Sequence, residues 1–315
     1  MASVLSDPRF HDEAAAYAWV EARLWPHGPV CPFCGSRDRI GRLKGKSTRV
    51  GVHKCYWCRK PFRVTVGTLF EASHIKLHLW LQAITLLSSS KKGISTHQLH
   101  RTLGIGLKAA WFLAHRIREA MRSGELAPMG AHGGIVEADE TYCGKLETPR
   151  RLTRKRSSPP TKGGKVGPGG KRAIVSLVER GGSVRSFHVE NADKATVNAI
   201  VGRNVAHEAR LHTDESRIYD DVRKHVALHE SVWRAAGEYV RGDVHTNSAE
   251  GYFSVFKRGM KGIYQHCGER HLHRYLAEFD FRHNHRQQLG VSDAMRAEAA
   301  LLGVVGRRLT YRATP

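Results

Sequence analysis

The sequence predicts an α/β protein: a small zinc ribbon, then a helical region, then a core built on a mixed sheet flanked by helices. Three observations carry that prediction. Two CxxC pairs, "CPFCGS" at Cys31 and Cys34 and "KCYWCRKPF" at Cys55 and Cys58, lie twenty residues apart near the N-terminus. Apolar residues then recur at helical spacing between Leu77 and Met121. Beyond "RSGELAPMGAHGG", short β-like runs alternate with helical ones, and two of them end in carboxylates: "GIVEAD" at Asp139 and "ARLHTDES" at Asp214.

The chain has 315 residues, enough for a substantial core and for two or three domains. Hydrophobic residues make up 41%, yet no run approaches the roughly 18 to 20 apolar residues of a membrane span. The first segment, "MASVLSDPRFHDEAAAYAWVEARLWP", has acids and no cationic stretch leading an apolar one. The expectation is therefore no signal peptide, no membrane partner, and a cytoplasmic location at the nucleoid. Charge is more informative: 51 Lys+Arg against 29 Asp+Glu leaves +22, spread over most of the length. Such a field attracts polyanions, nucleic acid before membrane surfaces or acidic proteins, without choosing DNA over RNA.

Residues 1–70 read as an N-terminal helix and a zinc ribbon. The spacing C-x2-C-x20-C-x2-C lets two tight turns each offer two thiolates to one tetrahedral ion. Four thiolates leave no open coordination position, so the zinc held by Cys31, Cys34, Cys55 and Cys58 is structural. Gly35 and the runs "STRVGVHKC" and "FRVTVGTLF" predict two knuckles carried on hairpins. His53 reads as a basic surface residue rather than a ligand.

Residues 71–125 read as helical. In "IKLHLWLQAITLL" the residues Leu77, Trp80, Leu81 and Ile84 fall on one face. In "ISTHQLHRTLGIGLKAAWFLAHRIREAM", Ser95 or Thr96 caps a short helix, Gly104 and Gly106 make a turn, and a longer helix follows. Two helices across a glycine turn predict a helix-turn-helix with Lys108, His115, Arg116, Arg118 and Arg122 available to nucleic acid.

Residues 132–290 read as the α/β core, with "RAIVSLVER" and "SVRSFHVE" as a hairpin, "KATVNAIVGRNV" as a helix and "ARLHTDES" as the next strand. Helices follow at "VHTNSAEGYFSVFKRGMKGI" and "ERHLHRYLAEFDFRHNHR". The segment 150–172 holds nine Lys/Arg, no acid and several Gly and Pro. It reads as a mobile basic loop, with Arg154, Lys155 and Arg156 for phosphate contact. Residues 291–315 read as a small helix and a basic tail.

Asp139 and Asp214 each end a strand, and Glu250 opens a helix, in the pattern D-x74-D-x35-E. Lys257 lies seven residues after Glu250, which returns it to within about 20° of the same helical azimuth. If the strands are neighbours and the helix packs across them, three acids and a lysine converge. Bland readings exist for each member. Asn247-x-x-Glu250 is also a capping box, and Glu140, Glu215 and Asp243 are competing acids. Alternation puts Glu137 on the face of Asp139, as an auxiliary acid; His212 and His245 read as structural.

On the CxxC pairs, "GISTHQLHRTLGIGLKAAWFLAHRIREAM", "VEADETYCGK", "HTDES", "VHTNSAEGYFSVFKRGMKGIY" and "HLHRYLAEFDFRHNHR", the chain resembles bacterial insertion-sequence transposases with an N-terminal zinc ribbon and a DDE core. The resemblance implies a ribonuclease-H-like mixed sheet flanked by helices. It also implies catalytic roles for Asp139, Asp214, Glu250 and Lys257, and two Mg2+ (or Mn2+) ions held by the three acids. Tyr252-Phe253 stands where many relatives have tryptophan. Two ions about 3.5 to 4 Å apart serve an in-line phosphodiester displacement. The implied function is a transposase that binds its element's ends, hydrolyses there and joins the 3′-hydroxyls to target DNA, as a dimer or larger oligomer on double-stranded DNA. Lys257 and Arg258 then face DNA phosphate. Two other readings are a non-catalytic zinc-ribbon regulator and a metal-dependent nuclease without strand transfer.

Overall fold

The computed structural model describes residues 3–124, 126–147 and 170–310. Arg154, Lys155 and Arg156 lie outside the described residues. The chain divides into two compact units, Met1–Arg122 with His285–Pro315, and Ser123–Asn284.

The first unit begins with α1 (Glu13–Leu24), capped by Asp12, whose carboxylate accepts the Ala15 N–H at 2.7 Å. The ribbon is an antiparallel sheet of β1 (Ile40–Arg42), β2 (His53–Cys55) and β3 (Pro61–Phe62). The run "FRVTVGTLF" is strand only at its first residue; past it the chain turns at Gly67, at φ 74°, and buries Val64, Leu69 and Phe70 one by one. Next, α2 (Leu77–Ser89) buries Leu77, Trp80, Leu81, Ile84 and Leu87, the face its spacing predicts. Ser95 caps α3 (Thr96–Leu103), accepting the Gln98 N–H at 3.1 Å, and Gly104 ends it in the left-handed region at φ 63°. After that turn α4 (Leu107–Ala120) packs back on α3.

The second unit is built on β4 (Ile135–Cys143), β5 (Arg172–Glu179), β6 (Val184–Val189), α5 (Lys194–Asn204), β7 (Arg210–Asp214), β8 (Leu228–Val232), α6 (Asn247–Gly259) and α7 (Leu272–Asn284). The sheet runs β6-β5-β4-β7-β8; β4, β5 and β6 form an antiparallel meander, and β7 and β8 lie parallel to β4. That order and polarity are ribonuclease-H-like. Both faces are covered. Val136, Ala138, Val175, Leu177 and Leu211 pack with Val197 and Val201 of α5 on one side. Ile174 and Val178 pack with Phe253, Phe256, Leu276 and Phe279 of α6 and α7 on the other. The strand β8 has no apolar alternation in "LHESV", because it is an edge strand with Leu228 exposed; its pairing with β7 defines it.

Finally, α8 (Asp293–Leu302) returns to the first unit, where Ala297, Ala300 and Leu301 are buried and the helix packs on α2. The Arg296 guanidinium donates to the Ser88 carbonyl at 2.9 Å. The apolar stripe of α8 thus finds its partner some 200 residues upstream.

Candidate active site

The register of the parallel pair β4 and β7 explains the first spacing. Ile135 pairs with Arg210 and Glu137 with His212, and Asp139 and Asp214 each follow two residues beyond that last pair; Asp214 ends β7, whereas Asp139 does not end its strand, because β4 runs on to Cys143 in its pairing with β5. The alternation that points Val136 and Ala138 at α5 turns Glu137, Asp139 and Thr141 toward α6. There a cleft of about 420 Å³ is lined by Asp139, Glu140, Thr141, Asp214, Arg234, Glu250, Phe253, Ser254 and Lys257. The four residues singled out by spacing therefore share one cleft.

What ties the N-terminus of α6 to the sheet is Glu137, not Glu250. The Glu137 carboxylate, fully buried, accepts from the Ser248 N–H at 2.7 Å, the Ser248 hydroxyl at 3.0 Å and the Ala249 N–H at 3.1 Å. It also pairs with the Arg180 guanidinium at 3.0 Å. An anion at a helix N-terminus satisfies open N–H groups and meets the positive end of the dipole. So the capping-box reading of Glu250 is replaced, and Glu137 is an anchor rather than an auxiliary acid lining the cleft. His212 and His245 stand in the same network: Arg180 lies 3.3 Å from His212 Nδ1 and 3.0 Å from His245 Nδ1.

Charge in the cleft is lopsided. Burial pushes the Asp139 carboxyl up to about 7, with the negative Glu140 and Asp214 adding to it and Arg234 opposing. Asp214 is raised as well, chiefly by burial, although the Ser216 N–H at 3.0 Å works against it. Glu140 is raised by burial too, and accepts the Tyr219 hydroxyl at 2.8 Å. Arg234, which the sequence does not single out, ion-pairs with Glu250 and donates to the Thr246 hydroxyl. No periodicity could reveal it, because it lies in the irregular connection from β8 to α6. Oxygen donors crowded until they resist ionisation suit a hard divalent cation.

At the Tyr252-Phe253 pair the aromatic side chains are structural. The Tyr252 hydroxyl donates to Asp280 of α7 at 2.5 Å, and its ring is buried among α6 and α7 residues. The Asp280 carboxyl also accepts from the Ser186 hydroxyl and N–H, each at 2.8 Å.

In the ribbon the thiol sulfurs of Cys31 and Cys58 are 3.6 Å apart and those of Cys34 and Cys55 3.7 Å, and all four lie within 4.8 Å of one another. A tetrahedral zinc with Zn–S bonds of about 2.3 Å requires edges of about 3.8 Å, so the cysteines fit one zinc ion. Among the described residues they are the one group gathered so tightly; the cleft acids are wider apart. His53 is not at the surface but is 8% exposed, edge-on to Trp25 with ring centres 5.4 Å apart.

The cations assigned to DNA divide. Lys108, Arg122, Lys257 and Arg258 are exposed. Arg116 and Arg118 are buried, as is His115, which corrects their assignment to nucleic acid. The Arg116 guanidinium donates to the Glu71 carbonyl at 2.7 Å and lies over the Trp80 and Phe112 rings. A helix of this amphipathicity cannot show its whole basic set to solvent while Ala110, Ala114 and Ile117 face the core.

Residues 132–284 match the family model of the ISXO2-like transposase domain, and residues 11–61 that of the transposase zinc-ribbon domain. An uncharacterized protein in transposable element ISH50 of Halobacterium salinarum is 28% identical over 264 residues, covering 82% of this chain and 86% of the relative. Among solved structures, the Mos1 strand transfer complex matches at TM-score 0.28 and 12% identity, over 71% of this chain and 74% of that one. A pre-cleavage Mos1 transpososome matches at TM-score 0.27 and 13% identity, with the same coverage. No helix among the described residues is long and apolar enough to cross a membrane.

Proposed function

We propose that this chain, which belongs to the insertion-sequence transposases with an N-terminal zinc ribbon, binds the terminal inverted repeats of its element, cuts there and joins the freed ends to target DNA. One observation carries the reading: Asp139, Asp214, Glu250 and Lys257, far apart in sequence, line a single cleft. A DNA-binding regulator has no use for such a set.

Asp139, Asp214 and Glu250 are the residues that would hold two Mg2+ or Mn2+ ions. When bound, the ions supply Lewis-acid stabilisation of attacking and leaving oxygens in an in-line displacement. In the first reaction a water oxygen forms a bond to phosphorus and the P–O3′ bond breaks, leaving a 3′-hydroxyl and a 5′-phosphate. In the second, that 3′-hydroxyl attacks a target phosphodiester and releases the target's own 3′-hydroxyl. The number of phosphodiester bonds is conserved in the second reaction, so no nucleotide hydrolysis is needed.

The chain's own residues orient the DNA. Lys257, one face of α6 with Glu250, presents an ammonium to phosphate at the cleft, and exposed Arg258 adds a second contact outside it. Lys108 and Arg122, both exposed, are the cations proposed for phosphate contact in the helix-turn-helix region. In the ribbon, Phe33, Tyr56 and Trp57 are exposed, with Lys60, Lys54 and Arg39 over their respective rings, a mixed cationic and aromatic surface suited to DNA. The basic segment with Arg154, Lys155 and Arg156 adds sequence-independent affinity that weakens with salt. Two ends must be handled together, so the active form is at least a dimer on DNA, in the cytoplasm at the nucleoid.

The test is Mg2+-dependent nicking of a duplex carrying the element's ends. Wild type nicks; Asp214→Asn retains binding and loses nicking. Equal nicking by the variant defeats the assignment. Strand-transfer products separate a transposase from a nuclease that only cuts.

A further inference from the structure

We infer that Arg234 is the resident counter-ion of the metal-free cleft and transfers its guanidinium from Glu250 to the DNA phosphate when divalent ions occupy the acids. This rests on the metal-binding reading of the cleft. Four carboxylates line the cleft, from Asp139, Glu140, Asp214 and Glu250, against two cations, Arg234 and Lys257. Of the two, it is Arg234 that pairs with Glu250 and whose charge bears on Asp139, Glu140 and Asp214.

The backbone and the side chain of Arg234 are held differently. Its N–H and that of Ala235 donate to the Glu215 carboxylate, each at 3.0 Å, and Glu215 directly follows Asp214. The main chain is therefore fixed to the end of β7. The side chain, 26% exposed, is held by two groups at the start of α6, the Thr246 hydroxyl and the Glu250 carboxylate. It is long enough to swing about a fixed Cα.

A guanidinium and a divalent ion compete for the Glu250 carboxylate, since both neutralise the same charge. Without DNA, ion binding deprives Arg234 of its partner. With DNA, a phosphodiester replaces that partner, and the planar fork of guanidinium N–H groups matches two phosphate oxygens better than an ammonium does. Metal and DNA then favour each other's binding through Arg234, a coupling that acts equally in both directions. The device keeps the cleft poorly loaded with metal until substrate arrives.

The experiment measures free Mn2+ by electron paramagnetic resonance with the full-length protein, with and without an end duplex, for wild type, Arg234→Ala and Arg234→Lys. Without DNA, Arg234→Ala should bind Mn2+ about 5-fold or more tightly than wild type, and adding duplex should raise its affinity less. Arg234→Lys should restore the competition for metal but not fast nicking at saturating Mn2+, because it lacks the fork. Unchanged or weaker Mn2+ binding by Arg234→Ala without DNA overturns the proposal, as does full nicking by Arg234→Ala at saturation. If wild type binds no Mn2+, or Asp214→Asn binds it equally well, the metal reading itself fails and this inference goes with it.

Discussion

Replacing Glu137 by Gln tests how the cleft is assembled. The native carboxylate is completely buried and takes four hydrogen bonds, three from Ser248 and Ala249 at the start of α6 and one from Arg180. Glutamine keeps the shape but presents an NH2 group to donors and removes the charge opposite Arg180. Breaking a buried ion pair from one side costs about 3 to 5 kcal/mol. Arg180 lowers the cost, because its side chain is 23% exposed and it keeps the Asp243 carbonyl at 2.7 Å. The lost helix-dipole interaction adds about 1 kcal/mol, for a total of about 3 to 4 kcal/mol. In a unit of this size that lowers the melting temperature by about 6 to 16 °C. Thermal unfolding of metal-free protein reads it directly, and Mg2+-dependent nicking should fall in parallel because Glu250 and Lys257 ride on the released helix. Were Glu137 an acid of the metal cleft, its neutralisation would relieve repulsion and raise the melting temperature. A rise, or a fall under about 2 °C, therefore refutes the anchor.

Asp139→Asn should have the opposite sign. Burial and the neighbouring charges hold Asp139 at about 7, so the folded chain keeps its proton to higher pH than the unfolded chain, where aspartate titrates at about 4. The contribution of this group is intact below about pH 4 and is lost as pH rises toward 7; the variant should gain on the order of 4 kcal/mol at pH 8 and little at pH 4. Urea unfolding at the two pH values checks this, and equal gains contradict it. For the ribbon, one zinc per chain is expected by metal analysis; chelation, or Cys55→Ser, should unfold it and weaken DNA binding, and binding that survives zinc removal unchanged would exclude a structural ion. Arg116→Gln should destabilise the first unit by about 1 to 3 kcal/mol and leave the salt dependence of DNA binding alone, whereas Arg258→Ala should shallow the salt slope by about 1 without loss of stability. Binding isotherms at several salt concentrations, with a melt of each variant, separate the two.

Elements whose own residues carry a period were legible. The face of α2, the cap and turn of α3 and the hairpin of β5 and β6 follow from local pattern, because burial of one face imposes it residue by residue. The edge strand β8 was not legible, since half its hydrogen-bonding potential faces no neighbour and its side chains obey no alternation. Nor was the pairing of α8 with α2, where each helix shows an apolar stripe but neither names its partner. The basic face of α4 misled for the same reason: Arg116 has the same letters whether it meets phosphate or the Trp80 ring.

By itself the sequence determined the four-thiolate zinc site, whose ligands sit in two short turns of fixed local geometry, and the spacing of three acids and a lysine. Only the tertiary structure decided that Asp139 and Asp214 lie on adjacent strands and line one cleft, that Glu137 ties α6 across them, and that Arg234 shares their cleft. Those relations depend on strand register, on a carboxylate buried beneath a helix terminus and on the path of an irregular connection. Each is fixed by burial and charge compensation between distant segments, and no local window of residues contains both partners.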